Sequence, residues 1–195
     1  MPDGAPPTPD ATPTPAAPQP SSAPSVPPRA TSRARLAPPL QPALAATYLG
    51  TELEARDAAG HAHVLRPAPQ GAPAAALAWP WRGTVHVLTA WNPYSDLLPH
   101  DENEAAQARL AAALAARGLP AHPAVGRDPA ANSRGWAEPS FLVEGLTRAQ
   151  AVELGQAFEQ HALFEVDSAS GELRLVACRD GALLGTRRVV AVSGA

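Results

Sequence analysis

Within TAWNPYS, Trp91, Asn92, Tyr94 and Ser95 bring an indole, a carboxamide, a phenol and an alcohol into five consecutive residues. The whole chain has four Trp and two Tyr, so this is a concentrated use of scarce side chains. Such a set donates, accepts and stacks, but holds no nucleophile with its own base. It suits one wall of a binding site, or a polar network that fixes a turn. Asn-Pro after an apolar run is itself a turn device, with the Asn side chain capping its own backbone. A second set follows in GRDPAANSRGWAEP: Arg127, Asp128, Trp136 and Glu138. A carboxyl beside an indole is desolvated, and its raised pKa suits a general acid or base. The same carboxylate serves equally well as an acceptor for loop N–H groups. Arg127 is placed to hold an anion at a helix N-terminus, or to pair with Asp128, Glu138 or Asp101. Gln160 and His161, in FEQHA, sit where a helix ends and its last carbonyls need donors.

Other chemistries lack their residues. There is no phosphate-cradling glycine loop, no Ser-His-Asp order and no Cys-x-x-Cys, so no cofactor is expected. Cys178 is the single cysteine, which rules out an intramolecular disulfide and reads as a small buried hydrophobe in a strand. His61 and His63 share one face of a strand and His86 is a third candidate, but no further ligand is placed, so no metal is expected. The acidic run DENE is first a helix N-terminal charge pattern. A formal net charge of -3 leaves no electrostatic footprint for nucleic acid or an anionic membrane. No apolar run approaches the roughly 18 residues of a membrane span, and the N-terminus lacks the layout of a secretory signal. A soluble, cytoplasmic protein is expected, with a small molecule or another protein as partner and its oligomeric state open. Lys and Ile are both absent and all 15 basic residues are Arg, the codon signature of a GC-rich bacterial genome.

These residues need elements to position them. Residues 1–42 hold fourteen of the 24 prolines and no aromatic residue, which predicts a disordered tail with polyproline II character, or a start that truly lies further on, near Val26, Leu36, Leu40 or Leu44. Residues 43–195 read as a single α+β domain. ATYLGTELEAR and HAHVLRPA flank DAAG as a hairpin, a short helix is expected over 74–79, and TVHVLTA reads as a strand. PHDENEAAQARLAAALAARG reads as a helix begun by a capping-box pair, Asp101 with Glu104, and stopped at Gly118; its Asn103 is another candidate site residue. AHPAV and SFLVEG are strands. Thr147 and Gln150 open a second helix, and ALFEV and ELRLVAC form a closing hairpin around DSASG. TRRVVAV adds a last strand. From Thr84 the order is strand, helix, strand, strand, helix, strand. That predicts a ferredoxin-like (βαββαβ) antiparallel sheet with two helices on one face, extended by an N-terminal hairpin and a C-terminal strand. In that topology WNPYS, the GRDPAANSRGWAEP loop and FEQHA meet at one end of the sheet, while the opposite end carries plain connectors.

TAWNPYS, the Asn of DENEAAQARLAAAL, GRDP followed by W-x-EPSFLV, and F-x-Q-x-A in AFEQHAL come in an order that resembles the bacterial domain of unknown function 3293 family. The resemblance spans roughly residues 46–179. It departs at Glu159, where the family usually has Gly, and at His161, where it usually has Asn. It implies no particular chemistry, because the family's activity is unknown.

The expected function is therefore a ligand- or partner-binding module whose site lies at that end, with Asn92, Arg127, Trp136 and Glu138 as contacts. The alternatives are an enzyme at the same place, with Glu138 as general acid or base, Arg127 as oxyanion stabiliser and Asn92 and Gln160 orienting substrate, and a cluster that only pins loops.

Overall fold

The computed structural model describes residues 38–129 and 136–193. Helix α1 (Pro42–Gly50) leads into strands β1 (Glu52–Arg56) and β2 (Ala62–Pro67). A long connector reaches β3 (Thr84–Leu88), and a single 3-10 turn (Pro93–Ser95) precedes α2 (His100–Ala116). Then come β4 (Ala121–Arg127), β5 (Ala137–Val143), α3 (Arg148–Ala157), β6 (Ala162–Asp167), β7 (Glu172–Ala177) and β8 (Leu183–Ser193).

The eight strands close a barrel in the order β1-β2-β8-β7-β6-β3-β5-β4, with every neighbouring pair antiparallel. This corrects the expected open ferredoxin-like sheet. The elements from β3 to β6 run in the anticipated order, and their strands lie side by side as β6-β3-β5-β4. However, β1 pairs with β4 at one edge and β7 pairs with β6 at the other. The N-terminal hairpin and β8 thus do not extend a sheet; they close it, and closure removes both edges.

Period-two patterning sorts the side chains. Val85, Val87, Leu142 and Leu173 point into the barrel with Leu53 and Leu65, forming one core. Leu88, Val143, Leu163 and Val176 point outward against Leu110 and Leu114 of α2 and Val152 and Leu154 of α3, forming a second core. Helix α3 starts with the expected capping box, Thr147 and Gln150 satisfying each other's backbone N–H groups. Helix α2 does not. Pro99 is its N-cap and no side chain caps it, so the expected Asp101–Glu104 device is not formed. The fixed φ of Pro99 and the acidic first turn (Asp101, Glu102) serve that start instead.

The expected helix over 74–79 is absent too. Residues 72–77 form no regular element, and the Leu77 N–H donates to the Ser168 carbonyl at 2.8 Å. Leu77, Trp79 and Trp81 alternate along this connector and are buried in the barrel core. Trp79 donates its indole N–H to Ser168 Oγ (3.1 Å) and meets Trp81 edge-on at 5.1 Å. Two tryptophans therefore plug the end of the barrel where β3 starts. Gly171 permits this, since a Cβ there would lie 2.8 Å from the Ala75 carbonyl. At the other end stands α1. The reading of residues 1–42 as a disordered tail falls, up to residue 37, outside the described residues; Pro42 itself is the first residue of α1. Among the described residues no helix is long and apolar enough to cross a membrane.

Candidate functional site at the mouth of the barrel

After Leu88 the chain is fixed residue by residue. Thr89 Oγ1 donates to the Pro139 carbonyl (2.8 Å) and accepts from the Trp91 N–H (3.0 Å), while the Ala90 N–H donates to Gln107 Oε1 (2.9 Å). Asn92 then turns into the left-handed region at φ 47°, and Tyr94 and Ser95 follow at 48° and 63°. The Tyr94 N–H donates to the carbonyl of Glu159 (2.7 Å), itself at φ 53°. These four are all the left-handed non-glycine residues among the described residues, and they meet at one place. A left-handed backbone of this kind is the one that glycine adopts at least cost.

The amides form a closed network. Asn103, 2% exposed, accepts the Asn92 N–H (2.8 Å) and donates to Asn92 Oδ1 (2.9 Å) and the Leu98 carbonyl (3.2 Å). Asn92 Oδ1 also accepts the Leu98 N–H (3.2 Å). Gln160 donates to the carbonyls of Trp91 (3.1 Å) and Phe158 (3.2 Å), tying the end of α3 to the turn. Asn92, Asn103 and Gln160 thus position other groups, and most of their capacity is already used inside the protein.

What they position lies around α1. Asn92 Nδ2 donates to Glu138 Oε1 at 3.1 Å. Glu138 and Trp136 share the face of β5 that carries Leu142, so both point into the mouth of the barrel. A Cβ at Gly126, which pairs with Glu138, would meet the Trp136 ring at 3.6 Å, an ordinary van der Waals contact. Burial pushes the Glu138 carboxyl above the ordinary glutamate value, and the Asn92 hydrogen bond only partly opposes this. Among the described residues no Arg or His pairs with it. Tyr48 of α1 meets the Trp136 ring edge-on at 6.4 Å and its hydroxyl lies 3.2 Å from Ser95 Oγ. Burial, followed by the charge of Glu138, holds the Tyr48 phenol above its usual range. On the other side of Ser95, the Tyr94 and His161 rings lie 5.4 Å apart, tilted by 57°. A cleft of about 490 Å³ opens here, lined by Leu40, Leu44 and Thr47 on one wall and Tyr94, Ser95 and His161 on the other.

The structure brings Asn92, Asn103, Glu138, Trp136, Tyr94, Ser95, Gln160 and His161 to this end. It does not bring Arg127. That guanidinium turns to the outer wall, 3.0 Å from Glu54 Oε2 and 3.5 Å from Glu52 Oε2, so the expected pairing with Asp128, Glu138 or Asp101 is corrected. Residue 127 lies one step from Gly126, and alternation sends it to the opposite face from Glu138. The Asp128 N–H bonds the Trp136 carbonyl (3.1 Å), and residues 130–135 of that loop lie outside the described residues. Tyr48 was missed because TYLG read as strand; Pro42 at the first helical position was the available signal.

His61 Nδ1 and His63 Nε2 both lie near Asp57 Oδ2, at 3.3 and 3.1 Å, far along the chain from His86, which faces Glu165. Among the described residues no group of three or more such side chains is placed to hold a metal ion. Cys178, buried directly after β7, has its thiol pushed up to about 12 by desolvation and is no nucleophile.

A family model described as "Protein of unknown function (DUF3293)" matches residues 88–163, from the last residue of β3 into β6. The resemblance noted in the sequence therefore stands over the segment that carries the turn, both outer helices and Glu138. No curated protein and no solved structure matches the chain.

Proposed function

We propose that this chain is a small-ligand-binding module, acting in the cytoplasm, whose site is the cleft between α1 and the Asn92–Ser95 turn at the mouth of the barrel. One observation carries this reading: all four left-handed non-glycine residues of the described chain converge there. Each such residue costs roughly 1–2 kcal/mol relative to ordinary backbone, least for Asn, and strain of this kind clusters at functional sites. Barrel mouths are also common ligand sites, and the opposite end of this one is filled by Trp79 and Trp81. In this reading Asn92, Asn103 and Gln160 are positioning residues, and Tyr94, Ser95, His161 and Tyr48 offer the contacts.

The test is an amide-resolved NMR screen of the full chain against a fragment library. Hits should perturb residues 92–95 and 160–161 and lose affinity in Tyr94→Ala. Hits confined to other surfaces would sink the proposal. A second reading, an enzyme with Glu138 as general acid, is favoured by the burial that keeps this carboxyl protonated to higher pH than usual, near the Tyr48 and Ser95 hydroxyls.

A further inference from the structure

The two walls of the cleft are held very differently. The Asn92–Ser95 wall is pinned by Asn103, by Gln160 and by the Tyr94 N–H on the Glu159 carbonyl. The facing wall is α1, and little holds it as a helix. It is nine residues long, short of the roughly 12–15 at which even a good isolated helix is marginal in water. Its N-cap, Gln41, makes no side-chain bond, and it has no acidic residue in its first turn and no basic one in its last. It buries no residue. By contrast α2 buries Asn103, Ala106, Leu110 and Leu114, and α3 buries Ala151, Val152, Leu154 and Gly155. An element with so little buried surface opens at low free energy.

What ties α1 to the barrel lies at its C-terminal end. Leu49 packs on the barrel core, and Gly185 makes its seat, since a Cβ there would lie 2.7 Å from Leu49 Cδ1. Arg187 donates to the Leu49 carbonyl. Next to this anchor, the Tyr48 hydroxyl lies 3.2 Å from Ser95 Oγ on the opposite wall. The part that lines the cleft comes before it, with Leu40, Ala43, Leu44 and Thr47. Thr47 Oγ1 turns its proton back to the Ala43 carbonyl of its own helix. We infer that α1 is a lid over the cleft, pivoting at Gly50 on the Leu49 anchor and latched by the Tyr48–Ser95 hydrogen bond. This deepens the binding reading above and rests on it, because the lid controls entry to that same cleft. Gly50 suits the pivot through its backbone freedom, and an added Cβ there would meet nothing within 4 Å.

The test is amide NMR relaxation dispersion with hydrogen exchange on the full chain, with no ligand added. A lid changes the surroundings of both walls at once. Residues 43–48 and residues 94, 95 and 161 should therefore share one microsecond-to-millisecond process. The α1 amides should exchange roughly a hundredfold faster than those of residues 110–114 in α2. Tyr48→Phe keeps the ring and drops the hydroxyl, so it should speed α1 exchange about fivefold and leave α3 unchanged. Gly50→Ala stiffens the pivot and should slow α1 exchange about threefold. Flat dispersion, with α1 as protected as α2, overturns the inference and makes α1 a fixed wall. A process confined to residues 43–48 overturns it too, since that is a fraying helix. Either variant behaving like wild type overturns the role given to that residue. The binding reading is judged separately by the fragment screen. Hits in the cleft beside a rigid α1 keep the site and lose the lid; a moving α1 with no hits keeps the lid and loses the site.

Discussion

Two carboxyl groups, the buried Glu165 and the half-buried Glu138, have their pKa values displaced in opposite directions. Glu165 lies on the outer wall under α3, 4% exposed, and receives Arg148 through Nε (2.9 Å) and Nη2 (2.7 Å) and Arg174 through Nη1 (2.9 Å). Those guanidiniums hold its pKa down to about 2. Its cross-strand neighbour His86, fully buried, is pushed below the ordinary histidine value by desolvation and so stands neutral. At the barrel mouth Glu138 receives one amide and no cation among the described residues, and its pKa moves up. The contrast lies in what each carboxyl meets among the described residues: three guanidinium contacts for Glu165 and one amide for Glu138.

Removing the paired group should cost most. Glu165→Gln takes the carboxylate from Arg148 and leaves Arg174 with Glu172 and Asp167, and is expected to lower stability by about 3 kcal/mol, measured by urea denaturation at neutral pH. The pH dependence follows the same sign. Because the folded pKa is depressed, the stability from Glu165 is full above the ordinary glutamate value of about 4.3 and is lost as pH falls toward 2. Denaturation of the wild type between pH 5 and pH 2 should steepen relative to Glu165→Gln; parallel curves would refute the pairing.

The amide scaffold comes next. Asn103→Ala leaves the Asn92 N–H and the Leu98 carbonyl without their partner, and a loss of about 2 kcal/mol is expected in thermal and urea melts. A loss below about 0.5 kcal/mol would mean the network does not hold the turn.

Glu138→Gln should do little or the reverse. Its folded pKa is raised, so ionisation opposes folding: stability is best below the unfolded value and declines as pH rises through the folded one. Gln keeps the Asn92 contact without the charge, so stability at pH 7 should stay within about 0.5 kcal/mol of wild type or rise. A loss as large as that of Glu165→Gln would abolish the contrast and make Glu138 structural. Smallest is Glu159→Gly. At φ 53° the glycine relieves strain, and a gain of roughly 0.5–1 kcal/mol is expected, less its greater unfolded-state entropy.

Much of the local structure was legible. The strand TVHVL, the helix after Pro99, the Thr147–Gln150 cap and the closing hairpin all follow from periodicity and capping chemistry, which act within a few residues. Convergence of WNPYS with Glu138 and FEQHA was legible too, because strand and helix alternation dictates which ends meet. The connector over 72–81 was not. Its alternating Leu77, Trp79 and Trp81 have the spacing of an extended chain, but Ala-rich flanks suggested helix, and only a barrel needs a plug. Tyr48 was equally hidden, since α1 has no buried residue and almost no amphipathic pattern of its own.

The sequence by itself thus determined the elements from β3 to β6, their directions and the residues gathered at their common end. Only the tertiary structure decided that the sheet closes, that Arg127 turns outward to Glu52 and Glu54, and that Tyr48 meets Trp136 and Ser95. The reason is range. Capping, alternation and turn chemistry are settled within a turn or a strand. Barrel closure depends on β1 finding β4 some seventy residues away, as in the pairing of Glu52 with Arg127, and no local pattern encodes that distance.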